Sequence, residues 1–226
     1  MKQFTFIITT ALVLILAACG SAEPAPRPTP TVETAAPAAD RITIVAFGDS
    51  LTEGFGVEPG ESYPAQLGAK LEANGYDIDV VNGGISGETS SGGLSRVDWM
   101  LGTEPDIVIV ETGGNDGLRG IELSETAANI DEIVRKFDES GVIVIVAGMQ
   151  IVQNLGEEYT TEFAAIYPTV ATKYGTILIP FFLEGVAADP DLNQPDFIHP
   201  TGDGYTVIVD NIYPFVVEAI EQAEQQ

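Results

Sequence analysis

The chain has 226 residues, 34 of them acidic and nine basic, with one histidine, one cysteine and a formal charge of -25. That balance excludes a nucleic-acid binder, which needs cations to neutralise phosphates. A lone cysteine excludes an internal disulfide, and a lone histidine without thiolate partners excludes a structural zinc site. Hydrophobic residues make up 45%, ample for one packed core.

At the N-terminus, Lys2 precedes an apolar run from Phe4 to Ala18. As a helix this run would rise about 22 Å, short of the ~30 Å hydrocarbon core, so residues 1–18 read as a secretion signal. Leu16-Ala17-Ala18-Cys19 resembles the lipobox of bacterial lipoproteins. The resemblance implies cleavage before Cys19, lipid modification of that residue, and a protein anchored by lipid to a membrane of the cell envelope, outside the cytoplasm. An ordinary signal with an incidental cysteine is the alternative. Residues 20–40 hold Pro, Ala, Thr and Glu without apolar periodicity, which describes an extended, disordered tether. Residues 41–226 then form one domain, with no internal repeat.

Within that domain, Arg41 to Phe47 is a β-branched run ending at Gly48 and reads as a buried strand. Similar runs are Ile78 to Val81, Ile107 to Val110, Val142 to Ala147 and Thr176 to Ile179. Helical spacing separates them. It links Tyr63, Leu67 and Leu71, then Ile130, Ile133, Val134 and Phe137, then Phe163, Ile166, Tyr167, Val170 and Tyr174. A last helix runs through Tyr205, Ile208, Val209, Ile212, Val216 and Ile220, with a kink expected at Pro214. Trp99, Met100 and Leu101 end the helix after Gly87 and are expected in the core. Apolar strands alternating with helices predict an α/β fold, a parallel sheet covered on both faces. Its ligand crevice should lie beyond the carboxyl ends of the strands.

Four polar clusters fall there: Gly48-Asp49-Ser50-Leu51-Thr52, Asn82-Gly83-Gly84-Ile85-Ser86-Gly87, Gly113-Gly114-Asn115-Asp116, and Asp196-Phe197-Ile198-His199-Pro200. Each alone is an ordinary turn; together they supply the parts for hydrolytic acyl transfer. Ser50 is the candidate nucleophile, and a serine hydroxyl needs a neighbouring base. His199 is the only imidazole available. Asp196, three residues earlier, is spaced to hold that imidazole and stabilise its charged form. Oxyanion-hole candidates are the backbone N–H groups of Ser50 and Gly87 and the side-chain amide of Asn115. Asp49, Asn82 and Asp116 are expected to hold loops through backbone hydrogen bonds. Scattered carboxylates such as Asp189 and Asp191 do not form an EF-hand loop. No cofactor is called for.

The same clusters carry a family resemblance. Gly48-Asp49-Ser50-Leu51, Gly87, Gly113-Gly114-Asn115-Asp116 and Asp196-x-x-His199 resemble the four blocks of the SGNH, or GDSL, hydrolases, nearest the bacterial thioesterase, lysophospholipase and arylesterase group. The likeness covers residues 42–220 in order. It implies a flavodoxin-like three-layer α/β/α domain with a five-stranded parallel sheet. It also implies a Ser50–Asp196–His199 triad and an oxyanion hole of Ser50, Gly87 and Asn115. No G-x-S-x-G elbow occurs. Residues 117–120 resemble a mobile loop beside the acyl pocket, a plain turn being the alternative. Gly84 stands where relatives often have alanine, expected to be harmless, and Thr112 replaces a common leucine of the pocket lining. The expected function is hydrolysis of aryl or acyl esters by a monomer, with lysophospholipids and thioesters as further substrates. The net charge favours neutral or zwitterionic esters over acyl-coenzyme A. A carbohydrate O-acetyl esterase and a non-catalytic ligand-binding lipoprotein are the alternatives.

Overall fold

A computed structural model of the chain describes residues 41–226. The secretion signal, lipidated Cys19 and tether expected from the sequence all fall in residues 1–40, outside the described residues. Five strands, β1 (Thr43–Gly48), β2 (Asp79–Gly84), β3 (Ile107–Glu111), β4 (Ile143–Ala147) and β5 (Ile177–Ile179), form one parallel sheet in the order β2-β1-β3-β4-β5. The seven α-helices among the described residues are α1 (Ser50–Glu53), α2 (Tyr63–Ala73), α3 (Ser90–Leu101), α4 (Gly114–Arg119), α5 (Leu123–Glu139), α6 (Glu157–Tyr174) and α7 (Gly202–Ala223). One layer pairs α2 with α7, which lies across β3, β4 and β5; the other sets α3, α5 and α6 side by side. This is the three-layer α/β/α arrangement expected.

The central strands are buried because both faces are covered, so their side chains need not alternate in polarity. α6 continues through Pro168 and α7 through Pro214, each proline removing one backbone donor without ending its helix.

Strand β2 departs from the expectation of a buried apolar run. It is half-exposed, starts at Asp79, and takes in Asn82, Gly83 and Gly84, which read as a turn in the sequence. As an edge strand it has β1 as its single neighbour, in a register that pairs Gly48 with Gly84. Asn82 folds back to accept from Gly84 N at 2.9 Å and donates to Glu53 O at 3.2 Å. The two glycines permit this path, because α1 passes directly over Gly84 and the Met100 side chain and Ala46 carbonyl crowd Gly83. A Cβ added at Gly84 would fall inside contact distance of the Glu53 and Thr52 backbone. Trp99 is the second departure. Met100 and Val97 face the core of α3, whereas Trp99 is 70% exposed, since its position on the helix turns it to the outer side.

Beneath the carboxyl ends of the strands lies a layer of buried carboxylates, each holding a loop. Glu111, at the end of β3, accepts from Thr52 Oγ1 at 2.8 Å and Asp49 N at 3.3 Å. Asp116 accepts from Ser90 N at 2.8 Å and Ser90 Oγ at 2.5 Å, fixing the start of α3. Glu88 pairs with Arg96 at 2.6 Å, and Arg96 also donates to Gly48 O at 3.1 Å and covers the Phe47 ring. Burial, and then the nearby Asp49 charge, push the Glu111 carboxyl well above its ordinary 4.5.

Two outcomes follow from this packing. Gly84→Ala should displace α1 and cost about 1–3 kcal/mol, the usual range for forced overpacking, measured by urea denaturation. Glu111 keeps its proton to higher pH in the folded chain than in the unfolded one. Its contribution is therefore complete below about pH 4.5 and declines as pH rises through the folded value, by up to about 1.4 kcal/mol per pH unit. Glu111→Gln, which cannot ionise, should flatten the fall in stability that sets in above about pH 4.5; parallel slopes for the two proteins across that fall would contradict this.

Candidate active site

Ser50 opens α1, immediately beyond the end of β1. Asp49 caps the helix by accepting from Leu51 N at 3.0 Å, and its other oxygen accepts from Asn115 Nδ2 at 2.9 Å. Burial raises the Asp49 carboxyl from 3.8 to about 6, opposed by those same hydrogen bonds. The residue thus ties the β1 turn to the start of α4, the holding role expected of it.

His199 arrives from a tight loop before α7. Asn193 and Pro200 form an antiparallel bridge, Gln194 N donates to His199 O at 2.8 Å, and Phe197 N donates to Gln194 O at 2.9 Å. Within this loop Asp196 Oδ1 accepts from Ile198 N at 2.9 Å and His199 N at 3.0 Å, while Oδ2 lies 2.7 Å from His199 Nδ1. Partial burial pushes the Asp196 carboxyl up, but the hydrogen bonds from the imidazole and the two backbone N–H groups outweigh it and hold the group at about 2. With Nδ1 facing a carboxylate, the proton belongs on that nitrogen and Nε2 is left as an acceptor, a tautomer assigned from the hydrogen-bond pattern. Nε2 lies 2.9 Å from Ser50 Oγ, across 149 positions of chain. Ser50, His199 and Asp196 are therefore a continuous hydrogen-bonded relay.

Phe55, just past α1, lies over the imidazole with ring centroids 4.7 Å apart, and its carbonyl accepts from Gln194 Nε2 at 2.7 Å. The aromatic contact and the backbone tie together limit rotation of His199.

The remaining candidates converge on the same place. Asn115, in the first turn of α4, directs Nδ2 at Asp49 Oδ2 and at Glu88 O, 3.0 Å away. Gly113 precedes that helix with φ 96, a backbone shape a side chain would strain. Gly87 has its carbonyl held by Arg119 Nη2 at 2.8 Å. Among the described residues, neither Gly87 N nor Ser50 N donates to a protein acceptor. A cavity of about 490 Å³ opens beside Ser50, Asn115 and His199, and its further wall is largely apolar, including Leu118, Met149, Ile151, Phe181, Leu183 and Phe197.

Two sequence expectations need correction here. Residues 117–119 are the end of helix α4, not a loop; Gly120 closes the helix in a left-handed conformation, and Leu118 faces the cavity. Thr112 is buried away from the cavity wall and supports the site through its carbonyl, which accepts from Tyr167 Oη at 2.9 Å. Sequence reasoning also missed Glu88, Arg96 and Glu111, which hold the loops, and Phe55 and Phe197, which flank the imidazole and the cavity. For Glu111 a signal was present: an acidic residue directly ending the apolar run Ile107 to Val110. Arg96 is one of two charges on α3, beside Asp98, and gives none.

Residues 46–207 match the model of the GDSL-like lipase/acylhydrolase family. The chain is 38% identical over 173 residues to Esterase TesA of Pseudomonas aeruginosa, covering 76% of this chain and 86% of that protein. It is 36% identical over 174 residues to the Thioesterase 1/protease 1/lysophospholipase L1 of Escherichia coli, covering 76% and 82%. A crystal structure of TesA superposes with a TM-score of 0.76 at 36% identity, over 78% of this chain and 99% of that one. With the family's signature residues gathered at one crevice, the chain belongs to the GDSL-like lipase/acylhydrolase family.

Proposed function

We propose that the protein is a serine esterase that hydrolyses aryl and acyl esters through an acyl-Ser50 intermediate. The observation carrying this reading is the 2.9 Å contact of His199 Nε2 with Ser50 Oγ, backed by Asp196 at Nδ1. In the first half-reaction Oγ attacks the ester carbonyl as Nε2 takes its proton. The carbonyl oxygen becomes an oxyanion, received by the N–H groups of Ser50 and Gly87. Asn115 Nδ2 joins them by sharing a hydrogen now directed at Glu88 O or Asp49 Oδ2. Collapse expels the alcohol, which takes the proton from His199. A water molecule, deprotonated by the same nitrogen, then attacks the acyl-Ser50 carbonyl, and the second tetrahedral species releases the carboxylic acid and restores the Ser50 hydroxyl. Asp196, ionised at any working pH, stabilises the imidazolium in both halves.

The largely apolar cavity wall favours acyl groups larger than acetyl, and the charge of -25 favours neutral or zwitterionic substrates over polyanions such as acyl-coenzyme A. Lysophospholipids and uncharged thioesters fit both conditions. For location, Leu16-Ala17-Ala18-Cys19 supports processing before Cys19 and a lipid anchor there, with residues 20–40 as tether. Among the described residues no helix is long and apolar enough to cross a membrane.

A fluorophosphonate probe should label the wild-type chain and not Ser50→Ala. Ser50→Ala or His199→Ala should lower kcat on p-nitrophenyl esters by on the order of 10⁶, and Asp196→Ala by on the order of 10⁴. Labelling that survives Ser50→Ala would remove the basis of the mechanism. Turnover of acyl-coenzyme A ahead of p-nitrophenyl esters and lysophosphatidylcholine would reverse the substrate preference. The anchor is tested by fractionation: the wild-type chain should sediment with membranes and Cys19→Ala should not.

A further inference from the structure

Three non-glycine residues in the described chain have positive φ, namely Glu104, Ala188 and Phe197, and the last two line the cavity beside Ser50. Phe197 presents the sharpest conflict. At φ 57 its Cβ is crowded by its own backbone, in a region that L-residues other than asparagine and aspartate seldom adopt. The loop requires that shape, since Asp196 Oδ1 must collect the N–H groups of Ile198 and His199 while Oδ2 meets the imidazole. Glycine would satisfy the requirement without conflict. Folding gives no compensation either, because Phe197 is 60% exposed. Neither backbone nor core therefore accounts for a phenyl ring here, and its apolar face is open to a partner from outside the chain. Ring and nucleophile border the same cavity, whose mouth also carries the exposed apolar side chains of Leu118, Val152 and Ile198.

We infer that Phe197 is a specificity-determining residue, its ring forming the outer wall against which the acyl group of a Ser50-bound ester packs, so that acyl groups of several carbons are preferred over acetyl. This rests on the serine-esterase reading above and adds to it which residue selects the acyl group. The ring acts through apolar contact, so its effect grows with the acyl carbons that reach it.

The test compares p-nitrophenyl octanoate with p-nitrophenyl acetate in the full chain and reads the ratio of their kcat/KM values. Phe197→Gly and Phe197→Asn both accept positive φ, so the loop is kept while the ring is removed. Both should lower the octanoate-to-acetate ratio about tenfold, mainly through KM for octanoate. Phe197→Tyr, which restores an aromatic ring, should keep the ratio within twofold of wild type. Thermal denaturation monitors folding, and the ratio remains readable even where both rates drop together. A fall of at least fivefold in both ring-deleting variants, with the ratio kept in the tyrosine variant, supports the inference; any other pattern of ratios overturns it. Failure of the wild-type chain to hydrolyse either ester, with no fluorophosphonate labelling, would instead overturn the esterase reading on which it stands.

Discussion

A carboxylate out of reach of water must be given donors by the protein, and this constraint organises the whole carboxyl edge of the sheet. Asp49, Glu111 and Asp116 are all buried there, and Glu88 lies close by. Between them they hold three segments: Asp49 and Glu111 the start of α1, Asp116 the start of α3, and Asp49 also the first turn of α4. The loops are thus positioned by electrostatic need as much as by packing. Asp49 links two of them directly, since one oxygen caps α1 and the other holds Asn115. Burial raises the affinity of Asp49 and Glu111 for protons, and the Asp49 charge adds to it at Glu111, which lets Glu111 sit beside Asp49 without two full negative charges facing each other.

Against this fixed edge the Asp196–His199 loop is an independent unit. It is held by its own bonds: the Asn193–Pro200 bridge, Gln194 to the His199 carbonyl, and the Asn193 amide donating to Val186 O and Asp189 O. Its ties to the α1 side are Gln194 Nε2 on the Phe55 carbonyl, the Phe55 ring over the imidazole, and the Nε2–Oγ contact itself. The proposed relay therefore joins two separately held halves, with the imidazole and the Asp196 carboxylate paired inside one loop and the Ser50 hydroxyl supplied by the other half. Such preorganisation suits the proposed acyl transfer, in which a weakly acidic hydroxyl reacts without rearrangement of its surroundings.

Much of this was legible from the sequence for a physical reason. Central parallel strands are buried on both faces, so their composition alone marks them, and the crevice lies where they end. Ser50, His199 and Asp196 could be singled out because chemistry with a single imidazole leaves few choices. What escaped was set by tertiary neighbours. The edge position of β2 lets Asn82, Gly83 and Gly84 be strand while looking like turn. The side to which Trp99 turns depends on helix phase, which its apolar character does not reveal. Gly117, Leu118 and Arg119 continue a helix that two glycines seemed to forbid. The ion pair of Glu88 and Arg96 joins residues whose pairing is visible only once α3 is laid against the end of β1.

That the chain holds one histidine, and that this histidine touches both the serine and the carboxylate, has a spectroscopic consequence. Proton resonances of the imidazole carbons arise from the proposed reacting centre alone, with no background from other histidines and no assignment to make. Inhibitor binding, acylation and ionisation at that ring can each be followed as displacement of a single pair of lines.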